Sequence, residues 1–577
     1  MRDKILNARP YPGVALLTTL LALLILIPAQ WTSAEDKPQI MVGGVTPEEA
    51  MRLGEKMYRE GLLPSGESMQ ATVKGDVPVD GKMFTCVSCH LRSGFGTSEG
   101  RVRTPPIDGT RLYSPVSKFR EVLLVGPAAE SMGGDLFRPA YTDETLAACI
   151  EGGVDPANRQ LDSIMPLYPL GKQEMAIMVY YLKNLSVGLQ PGVTATTIHF
   201  ATVITEEVPK EAREAMLVPL QNFIKNFRVP ERMERTIRVK SQRQEGGAGR
   251  GLRTLSLSVW ELKGPTETWR GQLEEYYRKE PVFALLGGIS TKEWAPVHRF
   301  CEELKIPALF PLTDLPVISA TDWYTVYLSK GLYQEGVAAA RYLHAKADQA
   351  KGQEIVQVYR DEPAGAALAK AFRETWESLG HTPPEAVVVA GDEPVSPELW
   401  SKIDQMHKQA VVLLWLNDRD FPDLALLAKD QPRPGLVMAS YGMLGQKVYS
   451  LPESERATLY LTYPYGLPDE SNGGYRLQIG TSVEGRPVPI SQREQALKMN
   501  TLIQTIPSVL SRLRTFVYRE YLLELIEATP DLVSGLNLYS RQSFGQGQRY
   551  ASKGCYVVQL GAGAKPSLIK RSEWVIH

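Results

Sequence analysis

The sequence predicts two folded parts in one chain: a helical N-terminal part, then a two-lobed α/β part with doubly wound parallel sheets. Three observations carry this. A Cys-x-x-Cys-His motif stands at 86–90 between two amphipathic helical segments. A short Gly/Pro-containing stretch, SVGLQPGVTA (186–195), follows the second of them. From residue 196 onward, continuous apolar runs alternate with amphipathic helices, the pattern of parallel strands covered on both faces. The 577 residues exceed one ordinary domain, and 43% hydrophobic with 22% charged residues is the balance of a globular protein. A net charge of −1, with no basic stripe interleaved with aromatics, argues against nucleic acid as a partner.

The first 34 residues have the build of a secretory signal. Arg2, Lys4 and Arg9 give a basic start, Gly13 to Pro28 is almost wholly apolar, and Ala34 supplies a small residue before the charged EDK. The apolar run is short for a membrane span of about 20 residues. A membrane anchor therefore arises only if the signal stays uncleaved. Either way the remainder is expected outside the cytoplasm, in the periplasm. The five cysteines, Cys86, Cys89, Cys149, Cys301 and Cys555, are too scattered for a disulfide framework. Cys301 and Cys555 either pair or stand as separate buried thiols.

Cys86-Val87-Ser88-Cys89-His90 reads as an attachment site for one covalent haem c. Two thioethers must reach two vinyl groups on one porphyrin edge, and the next residue must bring its imidazole under the iron. A zinc site would want a second Cys/His pair at similar spacing, and the sequence has none. A thioredoxin-type motif would follow a strand, and no strand pattern precedes this one. Upstream, TPEEAMRLGEKMYREG (46–61) is an amphipathic helix opened by Thr46 with Glu49 three residues later. Downstream, GKQEMAIMVYYLKNL (171–185) is a second helix. Between them, Met165 is followed by Pro166, a rigid setting for a thioether that could serve as a soft axial ligand. Met83 and Met132 are rival ligands, and core packing is the ordinary role of any one methionine.

On these residues the stretch from about 42 to 190 resembles a class I cytochrome c, an all-α domain. Gly54 and Tyr58 match that family's Gly-xxx-aromatic on the first helix, and Tyr181 its aromatic on the last helix. PPIDG (105–109) resembles the family's Pro-x-Leu-x-Gly, and Met165-Pro166 its distal motif. The resemblance implies that Pro105 offers its carbonyl to the His90 ring and that His90 and Met165 are the axial ligands of the haem iron. The long segment from Arg111 to Arg159 departs from small members. Arg101 and Arg103 are candidates for the haem propionates or for solvated surface. One haem with two strong axial ligands moves one electron at a time and leaves no open site, so the expectation is a carrier and not a catalyst.

The domain boundaries follow: signal 1–34, cytochrome c part 35–190, linker 191–195, and α/β part 196–577 with a lobe break near 313–335. In the last part, strand-like runs such as TTIHFATVI, VFALLGGI, EIVQVYRD, AVVLLWLN and GLVMASY alternate with helices. VFALLGGISTKEWAPVHRFCEELKIPALFPLTDLP (282–316) and YTVYLSKGLYQEGVAAARYL (324–343) resemble the type I periplasmic solute-binding proteins, the branched-chain amino acid binding family. By that resemblance Ser290 and Thr291 hold a ligand carboxylate, and hydroxyls with free N–H groups at a helix start suit an anion. Plain N-capping by Ser290 is the competing role. Trp323, Tyr324 and Tyr441 are aromatic candidates for a cleft, or else core. Asp361 and Asp418 follow strands and would face an ammonium, or else are solvated loop residues. YRDEPAGAAL lacks the Tyr-Gly that the family carries after this strand, which puts an ordinary amino acid ligand in doubt.

The expected function is periplasmic electron transfer coupled to a module that binds a small molecule or docks a partner. That partner would be an exported dehydrogenase or another cytochrome, and a small acidic excess in residues 35–192 hints at a basic docking patch on it. The alternative is a solute-binding receptor for a transporter or sensor with an accessory haem domain.

Overall fold

The computed structural model describes residues 40–576 apart from 74–76, 100–101, 117–137, 228–252, 347–353, 392–394, 396–409, 421–435, 457, 468–481, 484–485, 488–492, 514–515, 530–537 and 564–565. The signal segment, Arg101 and Met132 lie outside the described residues. Among the described residues no helix is long and apolar enough to cross a membrane. The chain forms two compact units, Met1–His90 with Ser98–Leu185, and Leu91–Thr97 with Ser186–His577.

The first unit contains α1 (Pro47–Glu60), β1 (Gln70–Val73), β2 (Val77–Asp80), α2 (Cys86–His90), β3 (Ser98–Glu99), β4 (Val102–Arg103), α3 (Gly109–Leu112), α4 (Asp143–Gly152) and α5 (Lys172–Asn184). Thr46 caps α1 by accepting the Glu49 N–H, and Gly61 ends it with φ +67°. That left-handed turn suits glycine, which has no Cβ to clash. Helix α1 buries Ala50, Leu53, Met57 and Tyr58, and α5 buries Met175, Ile177, Met178, Tyr181 and Leu182. The two helices meet at Gly54. A Cβ there would lie 2.4 Å from Tyr181 Cβ, so only glycine permits this approach. The Tyr58 and Tyr181 rings pack beside it at 5.4 Å. The unit is not all-α as expected. Its interhelical connections are long enough to pair with themselves, and β1–β2 and β3–β4 are short antiparallel ladders.

The second unit contains β5 (Thr197–Thr205), α6 (Lys210–Asn226), β6 (Thr254–Leu262), α7 (Trp269–Lys279), β7 (Ala284–Leu286), α8 (Ala295–Glu303), β8 (Ala308–Leu309) and β9 (Thr325–Val326). It continues with α9 (Gly331–Ala345), β10 (Ile355–Arg360), α10 (Pro363–Ser378), β11 (Glu385–Val389), β12 (Val411–Trp415), β13 (Leu436–Ser440) and β14 (Leu459–Tyr463). Helices α11 (Arg493–Leu513) and α12 (Arg519–Glu527) follow, then β15 (Gly554–Leu560), β16 (Leu568–Lys570) and β17 (Val575–Ile576).

Lobe 1 is a parallel sheet in the order β6-β5-β7-β8-β9. One face is covered by α7 and α8 over a core that includes Trp260, Trp269, Trp294 and Phe300. On the other side Met216 of α6 and Met499, Leu502 and Ile506 of α11 pack with Phe200 and Phe283. Helix α11 is thus packed within its own unit. Buried Arg519 fixes α12 by donating to the carbonyls of Phe283, Val282, Leu304 and Lys305 at 2.6–3.2 Å. Also within this unit, Ser93 donates its N–H (2.8 Å) and hydroxyl (2.5 Å) to Glu524, and Phe95 sets its edge on Tyr521 at 4.6 Å.

Lobe 2 is a sheet in the order β11-β10-β12-β13-β14-β15-β16, with β17 also on β15. Strands β10 to β14 pair in parallel, whereas β15 pairs antiparallel with β14, β16 and β17. The expectation of purely parallel sheets is corrected at this edge. The chain leaves β14 to build α11 and α12 on lobe 1 and returns from the side facing that lobe, so β15 must run the opposite way. The return passes beside the first crossing. Tyr327 N–H donates to Arg549 O, Ala551 N–H to Tyr327 O, and Ser552 N–H to Leu328 O, with Tyr327 and Tyr550 stacked at 5.7 Å. Helices α9 and α10 pack on the sheet through Leu343, Leu368, Phe372 and Trp376 against Leu413 and Trp415. Cys301 and Cys555 are separate buried thiols, not a disulfide.

Candidate functional site

The second unit holds a cavity of about 660 Å³ between its lobes. Its walls come from the residues just after parallel strands, where doubly wound sheets leave a crevice. Lobe 1 contributes Ser290 and Thr291 after β7 and Thr313 after β8. Lobe 2 contributes Glu362 after β10, Asn417 after β12 and Gly442 after β13. Apolar surface is supplied by residues such as Val208, Leu332 and Met443.

Of the residues singled out from the sequence for a cleft, Ser290 and Thr291 line this cavity and the other five candidates do not. Tyr324 is buried and donates to Glu520 at 2.9 Å. Tyr441 is buried against Tyr463 and Tyr465 and accepts from Gln446. Asp361 is an exposed residue whose N–H extends the β10–β11 ladder to Val389 O, and Asp418 pairs with Lys447 at 3.3 Å. Trp323 is buried, with the guanidinium groups of Arg92 and Arg549 over its ring at 4.3 and 5.0 Å.

Ser290 is not at a helix start. Helix α8 begins at Ala295 with Trp294 in the cap position, and Ser290 Oγ instead accepts the Lys292 N–H at 3.0 Å in a local turn. The hydroxyls of the pair face an internal carboxylate. Glu207 Oε1 accepts from Thr205 Oγ1 (2.5 Å), Thr291 Oγ1 (3.3 Å) and Ser290 Oγ (3.5 Å), and Lys292 Nζ stands 4.0 Å from Oε2. Sequence reading gave Glu207 no role, because nothing in TEEVP distinguishes it from a solvated loop acid.

A second acid missed from sequence is Glu335 on α9, which is buried beneath the cavity wall. Ser440 Oγ (2.9 Å), Thr462 Oγ1 (2.7 Å) and the N–H of cavity-lining Gly442 (3.1 Å) donate to it. Burial outweighs these three bonds and pushes Glu335 up to about 7. At the C-terminal end of β10, Arg360 and Asp420 form a buried two-pronged pair, with Nε–Oδ2 3.1 Å and Nη2–Oδ1 2.5 Å. Lys498 of α11 is shared between Glu494 (2.7 Å) and Asp314 (3.3 Å).

In the first unit, one helical turn carries Cys86, Cys89 and His90. The His90 ring is buried with Nδ1 2.9 Å from Pro105 O. A carbonyl only accepts, so Nδ1 carries the proton and Nε2 keeps its lone pair. Burial lowers His90 to about 4, so the imidazole is neutral at ordinary pH. Met165 is half-buried in a turn closed by its N–H to Asp162 O, while Met83 is 76% exposed. Tyr168, three residues after Met165, donates to Phe84 O and ties that loop to the start of α2.

No family model matches the chain, and no curated protein matches it. Several solved structures are similar to part of the chain. A branched-chain amino acid ABC transporter protein from Thermus thermophilus with bound valine is 14% identical, with 66% of this chain and 97% of that chain covered and a TM-score of 0.48. A leucine-binding protein from Thermotoga maritima is 14% identical over 66% and 99% of the two chains, TM-score 0.43. An extracellular ligand-binding receptor from Rhodopseudomonas palustris is 13% identical over 65% and 100%, TM-score 0.43. The two-lobed arrangement of this chain stands on its own strand order and not on these likenesses.

Proposed function

We propose that this chain is an exported, periplasmic solute-binding receptor whose α/β unit takes a small molecule between its lobes and whose first unit is a monohaem cytochrome c module. The interlobe cavity carries the receptor reading. It is built from the ends of parallel strands of both lobes and combines apolar walls with a few polar groups, the usual composition of a small-molecule site.

The donor set of the first unit fits a haem c. Cys86 and Cys89 would form the thioethers, His90 would bind iron through Nε2, and Met165 would be the distal ligand. The haem supplies one-electron chemistry when bound. The hydrogen bond from His90 Nδ1 to Pro105 O supports this assignment, because it fixes the tautomer that presents Nε2 to a metal. That same donor set favours a second reading, an electron carrier whose α/β unit docks an exported dehydrogenase or another cytochrome.

The test is calorimetric titration of the exported full chain with amino acids, short acids, amides, alcohols and aromatics, alongside a pyridine haemochrome assay. Saturable binding of a small molecule sustains the receptor reading. One haem per chain with no binding across the panel moves the assignment to the electron carrier. Loss of covalent haem in C86A/C89A is expected, and a haem-free wild-type chain would remove the cytochrome part of the proposal.

A further inference from the structure

The wall at Ser290 and Thr291 has a hydrogen-bonding polarity opposite to that of an anion site. A hydroxyl has one proton to give. Thr205, Ser290 and Thr291 all direct theirs at Glu207 Oε1. Ser290 Oγ already accepts the Lys292 N–H, so what the pair offers the cavity is chiefly the lone pairs of Thr291, which accept. The helix N-terminus that would favour a carboxylate starts only at Ala295.

The cations near the cavity each stand beside an acid, Lys292 the most loosely at 4.0 Å. Lys292 faces Glu207, Lys498 is held by Glu494 and Asp314, and Arg419 pairs with Glu362. Glu211 adds a further acid to the lining. Five carboxylates (Glu207, Glu211, Asp314, Glu362 and Glu494) thus surround three cations (Lys292, Lys498 and Arg419). An entering carboxylate would meet the net negative charge of this set, which the neutral donors of Asn417 and Thr313 in the lining do not cancel. Burial raises Glu207, but its hydrogen bonds from Thr205, its own backbone and Thr291, with the charge of Lys292, bring it below its ordinary value. It stays ionised at neutral pH.

From this geometry we infer that Glu207 acts as a built-in anion that sets the specificity of the cleft, which selects an apolar-bodied molecule with a hydrogen-bond-donating head, foremost an amine, and rejects carboxylates. This rests on the receptor reading of the cavity. The apolar body is matched by Val208, Ile289, Leu312, Leu332 and Met443 in the lining.

The test is calorimetric titration of the full chain with three probes of equal length, n-butylamine, 1-butanol and butyrate. Butylamine is expected to bind at least tenfold tighter than butyrate, with butanol between them. In E207A the hydroxyl protons and Lys292 are released, and butyrate is expected to gain at least tenfold while butylamine loses. E207Q keeps the space filled and guards against loss of the local fold, and it is expected to weaken the amine without admitting butyrate as fully. Butyrate binding the wild type as tightly as butylamine would overturn the inference and leave the receptor reading intact. An unchanged preference in both variants would do the same. Silence from all three probes and from the wider panel removes the receptor reading, and the inference with it.

Discussion

Replacing Glu335 with glutamine should change how stability depends on pH. In the unfolded chain this carboxyl titrates near 4.5, and in the fold it titrates near 7 because burial outweighs the bonds from Thr462, Ser440 and Gly442. Below about pH 4.5 the group is protonated in both states and imposes no penalty. As pH rises toward 7 the unfolded carboxyl ionises while the folded one resists. Stability therefore falls through this window, and the loss is complete above it. The rise in pKa corresponds to roughly 3 kcal/mol, at about 1.4 kcal/mol per tenfold change in proton affinity. Glutamine can keep the Gly442 N–H through its carbonyl and turn its amide toward the oxygens of Ser440 and Thr462. E335Q should therefore lack this slope and exceed the wild type by roughly 2–3 kcal/mol near pH 8. Urea unfolding from about pH 5 to about pH 8, followed by tryptophan fluorescence, reads it. Trp415 is a buried reporter in the same sheet, with its indole N–H on Gln357 at 2.8 Å. Parallel pH profiles for the two proteins would refute the argument.

Three other outcomes are expected. G54A should destabilise the first unit by about 1–3 kcal/mol despite the better helix propensity of alanine, because the new methyl meets Tyr181 Cβ at 2.4 Å; thermal melting checks it. D420A should cost about 3–5 kcal/mol by leaving Arg360 buried without its carboxylate, read in urea. R519M should cost about 3 kcal/mol or more by stripping donors from four carbonyls; local loss would appear as faster amide exchange at Phe283 and Leu304.

The parts legible in the sequence were those written in local pattern. Thr46 and Gly61 bound α1 as capping chemistry requires, and Gly54 stands where two helices touch. The apolar runs before residues 290, 361 and 417 became strands, because a strand buried on both faces has little freedom to be polar. Strands β11, β14 and β15 were not among the runs read, and β14 and β15 pair only after a long excursion through lobe 1.

Side-chain direction was not legible. Asp361 and Asp418 follow strands as cleft residues do, yet one is an exposed residue at the end of the β10–β11 ladder and the other pairs with Lys447. Glu207 and Glu335 could not be found by pattern, since apart from the neighbouring Thr205 the hydroxyls that hold them come from residues 83 to 127 positions away. The hydroxyls of Ser290 and Thr291 were visible, but not the acceptor that takes their protons.

The paired strand crossings at Tyr327–Leu328 and Arg549–Ser552 have a mechanical consequence. Two strands joined by hydrogen bonds resist sliding along each other and resist splaying, and they yield most readily to bending across their common axis. Stacked Tyr327 and Tyr550 stiffen that axis further. Relative motion of the lobes is thereby funnelled toward one rotation, and the gap between Ser290 and Gly442 becomes its natural coordinate. A single pair of distance labels, one on each lobe, would read any such rotation.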